Sequence, residues 1–191
     1  SVRSFLLFLM ILVPAISPVI GQYAMPIKAG LLVEQISLPT FQDYGSRLGY
    51  GFTLGTNFTY KEKVKSALLQ TADFHIIYHE EYGTSFMLSS LFDYSIRPGK
   101  LNVDIKLGPG YMLFNHYTSL YSQGDDGYEE ASRLQGKFVG LISLSSSYAI
   151  GSIRPYLAYT TYFEAPFINT YSTLLPHQMV ELGAYFTLHS K

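Results

Sequence analysis

The sequence predicts an all-β fold, an eight-stranded antiparallel up-and-down transmembrane β-barrel. Three observations support this prediction. Apolar and polar residues alternate with period two along eight segments, as expected for strands with one apolar face and one polar face. Short and long connections alternate between these segments. The charged fraction of 14% is well below the roughly 25% of ordinary soluble domains.

The composition excludes several classes of protein. A hydrophobic fraction of 48% with a net charge of −1 excludes a disordered chain and argues against a basic nucleic-acid binder. The chain has no cysteine, so it has neither disulfides nor Cys-type metal sites. We expect no cofactor, and any catalytic or metal site must use His, carboxylate or hydroxyl side chains.

The N-terminus has the pattern of a signal peptide. Arg3 precedes an apolar run at residues 5–13, and Pro14 and Pro18 follow that run. We therefore expect a signal peptide over residues 1–21, cleaved near Gly21, and one barrel domain over residues 22–191. No other segment approaches the ~18 apolar residues of a membrane helix, so a membrane location requires a closed barrel.

The first four strands are expected at residues 27–36, 48–60, 72–79 and 85–97. In the second, Phe52, Leu54 and Phe58 lie on one face, whereas Gly, Thr and Asn lie on the other. We expect this aromatic face to point outward. The remaining four strands are expected at residues 101–108, 137–150, 153–164 and 180–188. Gly108, Pro109 and Gly110 predict a bend of the fifth strand before Tyr111 and Leu113.

The connections predict two different rims. The reversals at residues 61–65, 97–100 and 151–152 are tight, whereas residues 37–47, 117–136 and 165–177 form long connections. The connection at residues 79–84 is short where a long one is expected. Short turns on one rim and long loops on the other are typical of transmembrane barrels.

The two faces of the strands differ in charge. No outward position of the eight predicted strands is Asp, Glu, Lys or Arg, as lipid exposure requires. Tyrosines near strand ends suit aromatic girdles at the membrane boundary; they are Tyr60, Tyr78, Tyr94, Tyr111, Tyr148 and Tyr159. The inward faces hold five cations and six carboxylates, which we expect to pair and plug the lumen: Lys28, Glu34, Asp73, Asp93, Arg97, Asp104, Lys106, Lys137, Arg154, Glu164 and Glu181. Small inward residues leave open the alternative of a gated or leaky pore, namely Gly30, Gly49, Gly51, Gly55 and Gly183.

The end of the chain resembles the C-terminal assembly signal of outer-membrane β-barrel proteins. Glu181, Gly183, Phe186 and Leu188 occupy its four specified positions, although three more residues follow. The whole mature chain looks like a small outer-membrane barrel of the OmpA/OmpX type without a periplasmic domain. The resemblance implies location in the outer membrane of a Gram-negative bacterium, contact with outer-membrane lipid and lipopolysaccharide, and recognition of the C-terminal strand by the barrel-assembly machinery.

Three classes of function remain open from the sequence. The first is a structural, surface-interaction or accessory-subunit role, with an outer-membrane protein partner possible through loops 117–136 and 165–177. The second is a lipid-modifying enzyme, because Asp73, His75 and His79 share an inward face, with Ser85 and Ser89 across the hairpin. Metal binding is not expected, since the Cα atoms of the two histidines would be ~13 Å apart at ~3.3 Å per residue. The third class is a soluble lipocalin-like binder with an apolar cavity.

Overall fold

The structure is a computed structural model that describes residues 25–36, 48–117, 120–124, 127–165 and 175–187. The predicted signal peptide lies outside the described residues, as do Leu188 and residues 166–174 of the last long connection. The strands are β1 (Pro26–Gln35), β2 (Gly49–Lys63), β3 (Ser66–His79), β4 (Gly83–Ser89), β5 (Phe92–Ile96), β6 (Leu101–His116), β7 (Leu120–Gly124), β8 (Gly127–Ala131), β9 (Leu134–Tyr148), β10 (Ile153–Ala165) and β11 (Leu175–Thr187). None of the described residues forms a helix long and apolar enough to cross a membrane.

The main sheet closes on itself. Strand β1 pairs antiparallel with β2 on one side and with β11 on the other, and every other pairing in the sheet is also antiparallel. Strands β4 and β5 both lie between β3 and β6, so they are two halves of one barrel strand. The predicted count of eight barrel strands is therefore confirmed. Strands β7 and β8 form a separate hairpin within the connection that was predicted as a loop over 117–136.

The predicted fifth strand is longer than expected and continues past Gly108–Gly110. Strand β6 runs without interruption through Pro109, and the irregularity lies in the neighbouring strand, between Ser89 and Phe92. Proline has no N–H to donate to a neighbouring strand, but its carbonyl still accepts a hydrogen bond of 3.0 Å from the Ser90 N–H. The register is the same on both sides of the break, so the barrel stays closed there.

The apolar face of the strands points outward, as predicted. Phe52 is 41% exposed and Leu54 is 49% exposed, whereas Thr53 between them is fully buried. Phe58 lies half-buried on the same outer face. Among the described side chains of the barrel strands, the exposed charged ones are Lys61, Glu62 and Lys63, at the end of β2. The outer surface between the two rims is thus apolar and uncharged, the reverse of a soluble barrel.

The aromatic side chains at strand ends agree with the girdle prediction in part. Tyr60, Tyr94 and Tyr148 are exposed near the rim with the short turns, and Tyr78 is exposed near the opposite rim. Tyr111 is instead buried, because its ring packs edge-on against Phe138 at 5.3 Å between centroids. We call the rim with residues 64–65, 97–100 and 149–152 the short-turn end, and the opposite rim the long-loop end.

Candidate functional site

The barrel interior contains the polar residues that the sequence analysis singled out. At its centre, Lys28 from β1 lies between two carboxylates. The Nζ atom is 3.1 Å from Asp73 on β3 and 3.0 Å from Glu181 on β11, and all three side chains are at most 7% exposed. Glu181 also accepts a hydrogen bond from the Tyr156 hydroxyl. These contacts tie three strands together through a buried ion-paired triad.

A second group of charges lies beside this triad. The Nζ atom of Lys106 is 3.9 Å from Asp93 and 3.3 Å from the Tyr185 hydroxyl. The Ser145 hydroxyl donates to Asp104 at 3.0 Å across the β6–β9 pair. Each of these side chains is buried, and the Lys106–Tyr185 and Ser145–Asp104 hydrogen bonds replace part of their hydration, whereas Oδ1 of Asp93 has no hydrogen-bond partner among the described residues.

Glu34 is the centre of a third polar group, near the long-loop end. One carboxylate oxygen is 2.7 Å from Nε2 of His79, and the other contacts Nδ1 of His177. The Tyr162 hydroxyl donates to Glu34 at 3.0 Å, and its ring stacks on His177 with 4.3 Å between centroids. Glu34 is fully buried, and its contacts come from three other strands, β3, β10 and β11.

Glu164 extends this group across the interior. Lys137 donates to Glu164 at 2.6 Å, and Nε2 of His177 is 3.5 Å from the other oxygen of that carboxylate. His177 therefore lies between two carboxylates from β1 and β10. The sequence placed His177 at the end of a loop; the structure places it inside the barrel near the start of β11.

The interior is not polar throughout. One side carries an apolar cluster of six residues: Met87, Leu91, Met112, Val139, Leu141 and Tyr162. A second cluster joins Leu32, Ile77 and Met179. Apolar side chains therefore fill the lumen together with the charged ones, because methionine and leucine at inward positions pack against one another as in a soluble core.

The space beside the inward glycines is filled by neighbouring side chains. A Cβ atom at Gly30 would overlap the Tyr156 hydroxyl, and one at Gly49 would overlap the His79 ring. A Cβ atom at Gly55 would overlap the Asp73 carboxylate. The cavity beside the central triad has a volume of about 10 Å³, room for about one water molecule. These glycines therefore make room for the polar side chains rather than for a channel.

The five catalytic candidates do not form a Ser/His/acid triad. Ser89 Oγ lies 3.3 Å from Nε2 of His75, but Nδ1 of that histidine contacts Thr53 Oγ1 at 2.8 Å instead of an acid. Asp73 is paired with Lys28, and His79 is paired with Glu34 in a separate group. Ser85 and Ser89 are both buried, at 2% and 1% exposure. Among the described residues, no three His, Asp or Glu side chains are arranged to hold a metal ion.

The residues of the predicted assembly signal have different surroundings. Glu181 belongs to the central triad, and Phe186 is 39% exposed on the outer face. Gly183 lies where a side chain would overlap the carbonyl of Ala29 on β1. Leu188 lies outside the described residues. Recognition of this strand by an assembly machinery stays a prediction.

Closure of eight antiparallel strands, an uncharged apolar outer face and a filled, ion-paired interior define a small β-barrel of the outer-membrane type. No family model matches the sequence, and no curated protein matches it. Solved structures that are similar include Ail, the attachment invasion locus protein of Yersinia pestis, at 13% identity and a TM-score of 0.52, covering 86% of this chain and 97% of that one. Neisserial surface protein A is similar at 11% identity and a TM-score of 0.56, covering 88% and 99%. The outer membrane enzyme PagL is similar at 15% identity and a TM-score of 0.50, covering 86% and 100%. At these identities the likeness concerns the fold.

Proposed function

We propose that this protein is an integral outer-membrane β-barrel with a structural or surface-interaction role and a closed lumen. The observation that carries the proposal is the contrast between the outer and inner faces of the barrel strands. The outer face presents exposed apolar side chains such as Leu31, Ile142 and Leu157, at 74%, 54% and 53% exposure, where water would disfavour them. Among the described residues, the inner face is filled by buried ion pairs and apolar clusters, which supports a closed lumen.

Lipid is the environment that such a surface fits. Outer-membrane phospholipid and lipopolysaccharide are accordingly the proposed surroundings, and the outer membrane of a Gram-negative bacterium is the proposed location. Any specific surface partner would meet the long connections, because the short turns leave little exposed chain at the other rim.

Two measurements test this proposal. The first is the partition of the expressed protein between aqueous and detergent-soluble membrane fractions, combined with heat-modifiable migration on gels. We expect folded protein only in the membrane fraction; folded protein in the aqueous fraction without detergent would contradict the proposal. The second is conductance in a planar lipid bilayer, where a closed lumen gives no stable unitary steps.

A lipid-modifying activity is the second candidate, and one contact favours it. Ser89 and His75 lie within hydrogen-bonding distance, and a structurally similar barrel is an enzyme. The 1% exposure of Ser89 opposes it, because a nucleophile must reach an acyl group. Mass spectrometry of lipid A from cells with wild-type protein, Ser89→Ala protein or no protein decides between the two candidate functions. We expect three identical acyl patterns; a change that requires Ser89 would establish the enzyme.

A further inference from the structure

The short-turn end of the barrel contains a cavity that none of the polar groups described above uses. Its volume is about 240 Å³, and the turn at residues 149–153 forms part of its wall. Both charged residues that line it are arginines, Arg97 and Arg154. No carboxylate is among its lining residues, in contrast with the balanced charge of the barrel centre.

Arg154 is held in place by its neighbours. Its guanidinium lies over the Tyr185 ring, with 4.4 Å from Cζ to the ring centroid. Nη1 is 3.1 Å from the Asn102 amide oxygen when that amide is turned toward it. The buried Nε atom has no hydrogen-bond partner among the described residues. Among the described residues, no carboxylate pairs with Arg154, so its guanidinium is fixed in place and keeps its charge available for an anion in the cavity.

Arg97 forms an ion pair with an exposed carboxylate. Its Nη1 donates to Glu62, whose side chain is 56% exposed. An exposed ion pair of this kind contributes little to stability, so a ligand can displace the carboxylate at low cost.

We propose that this cavity binds an oxyanion of the phosphate type. Two guanidinium groups supply planar pairs of N–H donors that match the oxygens of phosphate. Asn57, Thr59 and Thr187 line the same cavity and supply further polar groups. With a volume of about 240 Å³, the cavity has room for a phosphate group together with several waters. The source of the group is either soluble phosphate or the headgroup of a lipid at this rim.

The test uses the folded chain in octyl glucoside micelles, because this detergent contains no phosphate. Inorganic phosphate is titrated and followed by calorimetry. We expect saturable binding that weakens roughly tenfold or more in Arg154→Gln, as expected for loss of charge-assisted hydrogen bonds. Arg154→Lys keeps the charge but loses the planar pairs of N–H donors, so we expect it also to bind phosphate more weakly than wild type. Lys100→Gln removes one charge from the exposed turn of the same rim and should change the affinity less than twofold.

A second variant pair tests the role of Glu62, whose replacement should strengthen phosphate binding rather than weaken it. Glu62→Gln releases Arg97, so we expect severalfold tighter phosphate binding. Glu80→Gln removes a carboxylate at the opposite rim and should have no comparable effect. Heat-modifiable migration confirms that each variant is folded.

A lipid arm distinguishes the two sources of phosphate. If phosphatidic acid added to the micelles binds in an Arg154-dependent manner and inorganic phosphate does not, the site takes a lipid headgroup. If neither probe binds saturably, or if Arg154→Gln and Lys100→Gln have equal effects, the proposal is overturned. Binding in micelles requires only the folded barrel, so such a failure would leave the membrane location untouched.

Discussion

Replacing Lys28 with methionine should destabilise the barrel more than any change to an exposed lysine. Methionine keeps most of the side-chain volume but removes the ammonium group that lies 3.1 Å from Asp73 and 3.0 Å from Glu181. Two buried carboxylates would then face each other without a cation.

The expected magnitude follows from the burial of all three groups. Removing one partner of a buried ion pair costs about 3–5 kcal/mol, mainly because the remaining charge is left uncompensated. Lys28 serves two carboxylates, so we expect at least the lower value. The triple variant Lys28→Met, Asp73→Asn, Glu181→Gln removes all three charges and should recover most of that loss.

Unfolding by urea in detergent micelles measures this difference. The chain has no tryptophan, so far-ultraviolet circular dichroism is the suitable signal. Lys100→Met, in an exposed turn, is the matched control and should stay within about 0.5 kcal/mol of wild type. If Lys28→Met and Lys100→Met have the same small effect, or if the triple variant is no more stable than the single one, Lys28 does not hold the interior together.

Three further changes test separate features of the barrel. Leu31→Arg places a charge on the outer face and should lower the free energy of unfolding by about 2–4 kcal/mol in lipid vesicles; an effect below 0.5 kcal/mol would mean that this face does not contact hydrocarbon. Gly51→Ala forces a Cβ atom against a backbone carbonyl of β3, whereas Gly140 has open space around it, so we expect a loss of about 1–3 kcal/mol for the first and little for Gly140→Ala. Equal effects of the two alanines in a urea titration would refute this packing. Tyr162→Phe removes a donor from buried Glu34 and should cost about 1–3 kcal/mol, measured in the same way; unchanged stability would show that this hydrogen bond contributes nothing.

The period-two alternation of apolar and polar residues was sufficient to predict the eight barrel strands and the direction of their faces. A register error of one residue would reverse every face, and the exposure of Phe52 and Leu54 beside buried Thr53 shows that the register is right. The predicted start of the third strand at residue 72 was six residues too late, because Ser66–Thr71 alternates less clearly.

The pairing of the interior charges could not be predicted from the sequence. Asp73, Lys28 and Glu181 lie on three strands that are far apart in the chain, and only barrel closure brings them together. The interior position of His177 was not predicted either, because the apolar segment before it has the pattern of a loop. Met87 shares the parity of the inward residues Ser85 and Ser89, and this pattern could have revealed the apolar side of the interior.

The central claim is that the outer face of the strands meets lipid and the inner face does not. Because the chain has no cysteine, single cysteines can be placed at positions 52–54 and 57–59 of β2 and spin-labelled in lipid vesicles. Collision with oxygen, which dissolves in the hydrocarbon, should alternate with period two: high at positions 52, 54 and 58 and low at 53, 57 and 59. A flat profile, or one with the opposite phase, would contradict the barrel described here.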